Sequence, residues 1–128
     1  MIVALELVDD AIAKGERDYI VRVLDKPGAG VVGYTCYGRA HFTEGTFDLY
    51  WIAVHKDHHG DGSARRLMAY AEEDVAARGG KILLVETASK PSYARTRGFY
   101  EKIGYLEVSR IPDFYKQGDD KITYWKRF

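Results

Sequence analysis

The stretch Val54-His55-Lys56-Asp57-His58-His59-Gly60-Asp61-Gly62-Ser63-Ala64-Arg65-Arg66-Leu67-Met68 orders everything around it. It reads as the end of a strand, a turn carrying Gly60 and Gly62, and the start of a helix. Glycine has no Cβ, so the backbone can pass such a junction freely and approach a ligand closely. The first turn of the helix leaves N–H groups without intrahelical partners, and the peptide dipoles put partial positive charge there. That end suits a phosphate or pyrophosphate. A tight turn with no ligand explains the glycines equally well, so the loop alone leaves both readings open.

Two phosphate loops are excluded. A P-loop needs Lys after its second glycine, and Ser63 follows Gly62; a dinucleotide fingerprint needs a third glycine where Arg65 stands. Upstream, Phe47 to Val54 reads as the strand that feeds the loop. Downstream, Ala64, Leu67, Met68, Ala71 and Val75 share one helical face, with Arg65, Arg66, Glu72 and Glu73 mostly opposite. Gly79-Gly80 stops that helix. In Lys81 to Thr87, the run Ile82-Leu83-Leu84-Val85 suits a strand covered on both sides. Strand, helix, strand at this spacing predicts a right-handed βαβ unit with parallel strands.

Farther out, Val3, Ala4, Leu7, Val8, Ala11 and Ile12 predict a helix over Met1 to Lys14, with Gly15 as its stop. Tyr19 to Leu24 and Gly30 to Ala40 read as strands, and Glu44-Gly45 as the tip of a hairpin into the Phe47 strand. Ser92 is expected to cap a helix that runs to Ile103, stopped by Gly104. Tyr105 to Ile111 and Lys121 to Phe128 are the closing strands. Between them a loop is expected, containing Asp113, Phe114, Tyr115, Gly118, Asp119 and Asp120. The order predicts an α/β fold, a mixed sheet with helices on its faces.

The 128 residues suffice for one domain, 1–128, with a real core. Nineteen Lys and Arg balance nineteen Asp and Glu, which argues against nucleic acid or an anionic membrane as a broad electrostatic partner. Cys36 is the only cysteine, so no intrachain disulfide can form, and its apolar strand context points to a buried structural thiol. The N-terminus turns acidic too soon for a signal peptide, and no apolar run approaches the ~20 residues that span a bilayer. A cytoplasmic location is expected.

Two segments carry a family resemblance. His59-x-x-Gly62-x-Ala64 resembles the Gln/Arg-x-x-Gly-x-Gly/Ala acetyl-CoA-binding motif of the GNAT acetyltransferase superfamily, with His in place of Gln or Arg. Phe99-Tyr100-Glu101-Lys102-Ile103-Gly104-Tyr105 resembles the family's Phe-Tyr-x-x-x-Gly-Phe/Tyr segment. The resemblance implies a mixed, mostly antiparallel sheet with helices on both faces and a central parallel βαβ unit, entered at the family's second strand. The family's first strand and helix are expected to be absent from this sequence, either because it is a minimal member or because the N-terminal part is missing; the sheet edge this would leave open could be covered in a homodimer. It also implies acetyl-CoA as donor and a primary amine of a small molecule or amino acid as acceptor. A protein or peptide N-acetyltransferase and a non-catalytic acyl-CoA-binding module are the alternatives.

By the same resemblance, the backbone of Ile52, Ala53 and Val54 would flank the pantetheine arm, an amide near Ile52 facing the thioester carbonyl. The amides of His59, Gly60, Asp61, Gly62, Ser63 and Ala64, with Arg65 nearby, would hold the pyrophosphate. Tyr100 corresponds to the tyrosine that serves as general acid toward the CoA sulfur; a phenol is protonated at neutral pH and can donate. Asp48 and Glu86 are the candidate bases, working through water unless burial raises their pKa. Tyr93 stands where family members often carry an Asn. Tyr34, Tyr37, Tyr50 and Tyr115, with Asp113, Asp119 and Asp120, could line the acceptor site, since aromatic walls and carboxylates suit a cationic amine. His55, His58 and His59 crowd a turn without zinc-site spacing, so no metal is expected.

Overall fold

A computed structural model describes residues 19–128. The helix expected over Met1 to Lys14 lies outside the described residues. The elements are β1 (Ile20–Lys26), β2 (Gly30–Arg39), β3 (Thr46–Val54), α1 (Ser63–Ala77), β4 (Ile82–Ala88), α2 (Ala94–Lys102), β5 (Leu106–Lys116) and β6 (Asp119–Arg127). Short 3-10 turns, Lys56–His58 and Pro91–Tyr93, precede the two helices. The strands form one sheet in the order β1-β2-β3-β4-β6-β5. Its pairs are antiparallel except β3 with β4, which are parallel as the βαβ spacing predicts. Among the described residues, β1 has no strand on its outer side.

Period-two alternation decides which side chains meet the helices. Phe47, Leu49, Leu83, Val85, Ile122 and Tyr124 share a buried cluster with Met68, Ala71 and Val75 of α1 and Tyr100 of α2. Burying such side chains stabilises by about 1.5–3 kcal/mol each, so packing more than propensity holds α1. The residues between them, Asp48, Leu84, Glu86, Lys121 and Thr123, therefore face the other side of the sheet. No helix among the described residues is long and apolar enough to cross a membrane.

The end of α1 is set by its glycines. Gly79 adopts φ 85°, its N–H donates to the Ala76 carbonyl (3.1 Å), and the Gly80 N–H donates to the Val75 carbonyl (2.8 Å). This is the Schellman arrangement, in which a left-handed residue lets two orphan carbonyls be satisfied. Farther along the sheet, Tyr105 Oη donates to Glu72 (2.7 Å), and Lys126 Nζ donates to Glu72 (3.2 Å) and to the Ile103 carbonyl (2.9 Å). These contacts tie α1 to the C-terminal hairpin.

Two expectations are corrected. Ser92 does not cap α2: Tyr93 occupies that position and no side chain caps the helix, because Pro91 starts a separate turn. The expected closing loop is mostly strand. The pairs Ile111↔Lys121 and Lys116↔Asp119 enclose four residues of β5 against one of β6. Pro112 has no N–H to give the ladder, and Asp113 takes φ 57°. Carboxylates supply the missing acceptors, Asp120 Oδ1 from the Asp113 N–H (3.0 Å) and Asp113 Oδ1 from the Gly118 N–H (2.7 Å).

Candidate active site

The parallel pairing of β3 and β4 stops after Leu49↔Val85. β3 continues along β2 to Val54, and β4 continues along β6 to Ala88, so the two strands diverge and leave facing backbone edges unpaired. A bulge begins the divergence. Cys36 pairs with Trp51 and Tyr37 with Leu49, which leaves Tyr50 as the extra residue, and a bulge bends its strand. The His55 N–H donates to the Val32 carbonyl (2.7 Å) on the β2 side. By alternation, the N–H and C=O of Ile52 and Val54 turn to the opening.

The loop before α1 lies at the mouth of this opening. Gly60 and Gly62 have φ 81° and 88°, and a Cβ at either would meet no atom of the described residues within 4 Å beyond its chain neighbours. The loop is therefore an open cradle in a conformation that favours glycine. Its side chains are engaged separately. His59 Nε2 donates to the Val54 carbonyl (2.9 Å), which ties the loop to the strand end. His58 Nδ1 donates to Asp61 Oδ2 (2.8 Å), and His55 Nδ1 accepts from the Asp57 N–H (3.2 Å). Asp61 Oδ1 accepts from the Ser63 N–H (3.0 Å) and hydroxyl (2.6 Å), while Lys26 Nζ donates to Oδ2 (2.9 Å). These hydrogen bonds, those from Ser63 and Lys26 foremost, hold the Asp61 carboxyl well below its usual range.

On the helix side of the sheet, Tyr100 is 4% exposed, with its ring against Phe99, Tyr105 and Tyr124. Burial pushes its phenol up to about 12, so the group is a proton carrier at neutral pH. Thr87 lies on β4 beyond the last pair with β3, and its Oγ1 is buried without a hydrogen-bond partner among the described residues. A buried hydroxyl of this kind is satisfied by an ordered water or by a bound polar group.

On the opposite face, Lys121 Nζ lies 3.2 Å from Glu86 Oε1 and 4.7 Å from the centroid of the Phe114 ring. The Asp48 carboxyl is raised, first by burial and then by the nearby Glu86 charge, with Lys121 opposing. Around the bulge, Tyr19, His41, Tyr50 and Trp51 line a cavity of about 350 Å³. The Tyr19 and Tyr50 rings meet edge to face at 5.6 Å.

Residues 16–107 match the family model described as an acetyltransferase (GNAT) domain. The chain belongs to the GNAT family. A GNAT-family acetyltransferase from Desulfovibrio desulfuricans is 40% identical, with a TM-score of 0.93 over 98% of this chain and 79% of that one. An aminoglycoside 6'-N-acetyltransferase solved with coenzyme A shares the fold at 19% identity, with a TM-score of 0.77 over 92% of this chain and 77% of that one. The ribosomal-protein-S18-alanine N-acetyltransferase of Escherichia coli does so at 21% identity, with a TM-score of 0.74 over 92% and 75%. A search of curated proteins gives no match. GNAT enzymes take acetyl-CoA as cosubstrate, and the divergent strands, glycine cradle and orphaned Thr87 hydroxyl fit such a ligand.

Within the GNAT frame, Ile52, Val54 and the His59–Arg65 loop lie at one opening, while Ala53 turns its N–H and C=O to β2. Tyr100 packs on the helix side against Tyr124, which pairs with Val85 where the β3–β4 pairing ends, and Asp48 and Glu86 lie on the reverse face. Tyr93 is exposed, its ring 5.2 Å from Lys90 Nζ. The tyrosines expected at the acceptor do not stay together. Tyr37 is fully buried on the helix side, its hydroxyl donating to Asp74 (2.6 Å), so it cannot line a surface site. Tyr115 stands on the far edge strand, where Phe114 rather than Tyr115 meets Lys121. Tyr34 is half-buried on β2, and Tyr50 lines the cavity. Asp119 and Asp120 are also engaged structurally. Asp119 Oδ1 accepts from the Ser89 and Lys90 N–H groups (3.2 Å each), and Asp120 pairs with Arg110 (3.1 Å). Tyr19, His41, Trp51, Lys26 and Lys121 were missed by sequence reasoning, since no local motif marks residues that only sheet register brings together.

Proposed function

We propose that the chain transfers an acetyl group directly from acetyl-CoA to the primary amine of a small cationic acceptor. The observation that carries this reading is the opening between β3 and β4. It has the glycine cradle and Tyr100 on one face and the Asp48–Glu86 carboxylates on the other, so donor and acceptor can meet through the sheet. Bound acetyl-CoA would supply an activated acyl group and a thiolate leaving group. The first-turn amides of α1 and the glycine loop would hold the diphosphate, and the open edge of Ile52 with the Val54 N–H would orient the arm, the Val54 carbonyl being engaged by His59. The Ile52 N–H stabilises charge developing on the carbonyl oxygen. Asp48, its carboxyl raised first by burial and then by the Glu86 charge, takes the ammonium proton directly or through water. Tyr100 returns a proton to the sulfur.

The relatives named above differ in acceptor, from an aminoglycoside to a ribosomal protein, so the fold does not choose between them. The aromatic walls of the cavity of about 350 Å³, from Tyr19, Tyr50 and Trp51, support a small cationic amine. Calorimetric titration with acetyl-CoA and with CoA tests the first half of the reading; micromolar stoichiometric binding is expected. An amine screen that follows thiol release tests the second. A folded sample that binds neither ligand would overturn the proposal.

A further inference from the structure

The head of α1 already holds an anion. Asp61 Oδ1 occupies the Ser63 N–H and hydroxyl, and Ser63 is 1% exposed. Lys26 reaches from the end of β1 to Oδ2 of the same carboxylate, and His58 donates to that oxygen from the adjoining turn. Gly60 and Gly62, on either side of Asp61, have positive φ and open space where a Cβ would stand. An aspartate in a loop that receives a diphosphate is costly: like charges repel, and the carboxylate consumes a donor the ligand could use.

Resting on the acetyl-CoA reading above, we propose that Asp61 is a built-in competitor that sets how tightly the cofactor's diphosphate is held. Its Oδ1 takes the Ser63 N–H while the site is free. As the diphosphate arrives at that amide, the carboxylate yields it and keeps Oδ2 on Lys26 and His58, which offset its charge. The device weakens acetyl-CoA and product CoA alike, because both carry the same diphosphate, and it speeds product release, a step that often limits turnover. Asp61 is a positioning residue, because it acts on the ligand through Ser63 and through its field.

The test is calorimetric titration of CoA into the wild-type protein, D61N and D61S at low and at physiological salt. Asn can make the same side-chain turn to the Ser63 N–H as Asp, and Ser a weaker one, so both variants remove the charge while retaining a local acceptor for Ser63. Binding about three- to tenfold tighter than wild type is expected at low salt, with the gain shrinking as salt rises. Acetylpantetheine, which lacks the diphosphate, serves as control, and its affinity is expected to stay unchanged. CoA affinity equal to or weaker than wild type in both variants would overturn the inference and leave the acetyl-CoA reading standing. Binding by the variants but not the wild type would support both. Failure of all three folded proteins to bind would overturn both.

Discussion

Replacing Tyr100 with Phe should separate catalysis from packing. The side chain is 4% exposed, and its hydroxyl makes no hydrogen bond to the described residues. Its ring contacts with Phe99, Tyr105 and Tyr124, at 5.5, 5.9 and 6.2 Å between centroids, survive in phenylalanine. Deleting a hydroxyl that has no partner among the described residues is close to neutral, within about 1 kcal/mol. Loss of a general acid costs about a hundredfold or more in rate, roughly 2.7 kcal/mol of barrier. Tyr100→Phe should therefore melt near the wild-type temperature, bind CoA normally and turn over about a hundredfold more slowly. Burial raises the phenol to about 12, so the wild-type rate should lose no acid form below about pH 10. The assays are urea unfolding, calorimetry with CoA, and thiol release with an amine from the screen. Unchanged turnover would refute the acid role. A large loss of stability would refute the view that the hydroxyl is unpartnered.

Folding raises the Asp48 pKa through burial and then Glu86, so the folded state binds its proton more tightly and this contribution to stability falls as pH rises through the raised value. Asp48→Asn should thus be more stable than wild type in urea at pH 7.5, with the advantage fading near pH 4, while thiol release slows; the opposite pH trend would refute the assignment. Gly62→Glu forces a side chain onto φ 88° and aims a carboxylate into the cradle. A stability loss of about 1–2 kcal/mol is expected by urea titration, along with complete loss of CoA binding by calorimetry. A Cβ on Gly80 would meet the Val75 carbonyl oxygen at 2.7 Å and Phe47 Cδ1 at 3.0 Å. Gly80→Ala should cost about 1–3 kcal/mol in urea unfolding without changing acetyl-CoA affinity relative to the folded fraction.

Much of the fold was legible because local chemistry and tertiary placement agree. The Leu67, Met68, Ala71 and Val75 spacing gives α1 its buried face, Gly79 ends it in a left-handed turn, and the apolar Ile82–Val85 run lies inside the sheet. The glycine cradle is equally local, since positive φ at Gly60 and Gly62 is written in the residue type. Where the reading failed, distant residues decided. The stretch around Pro112 and Asp113 looks like a loop, yet Asp120 and Gly118 supply the hydrogen bonds that keep it in a bulged strand. Tyr34 and Tyr37 sit three apart on one strand, and alternation sends them to opposite faces, one of them into the core with Asp74.

By itself, then, the sequence determined the order of elements, the parallel βαβ unit, the cradle and the family, because each depends on residues close together in the chain. Only the tertiary structure decided how the site is assembled. The bulge at Tyr50 and the early end of β3–β4 pairing are properties of sheet register, and register depends on which strands become neighbours. The same holds for Asp48 beside Glu86 and Lys121, for Tyr19 beside Tyr50, and for Lys26 on Asp61. Charges and rings interact through space over a few ångströms, and no spacing along the chain encodes that distance.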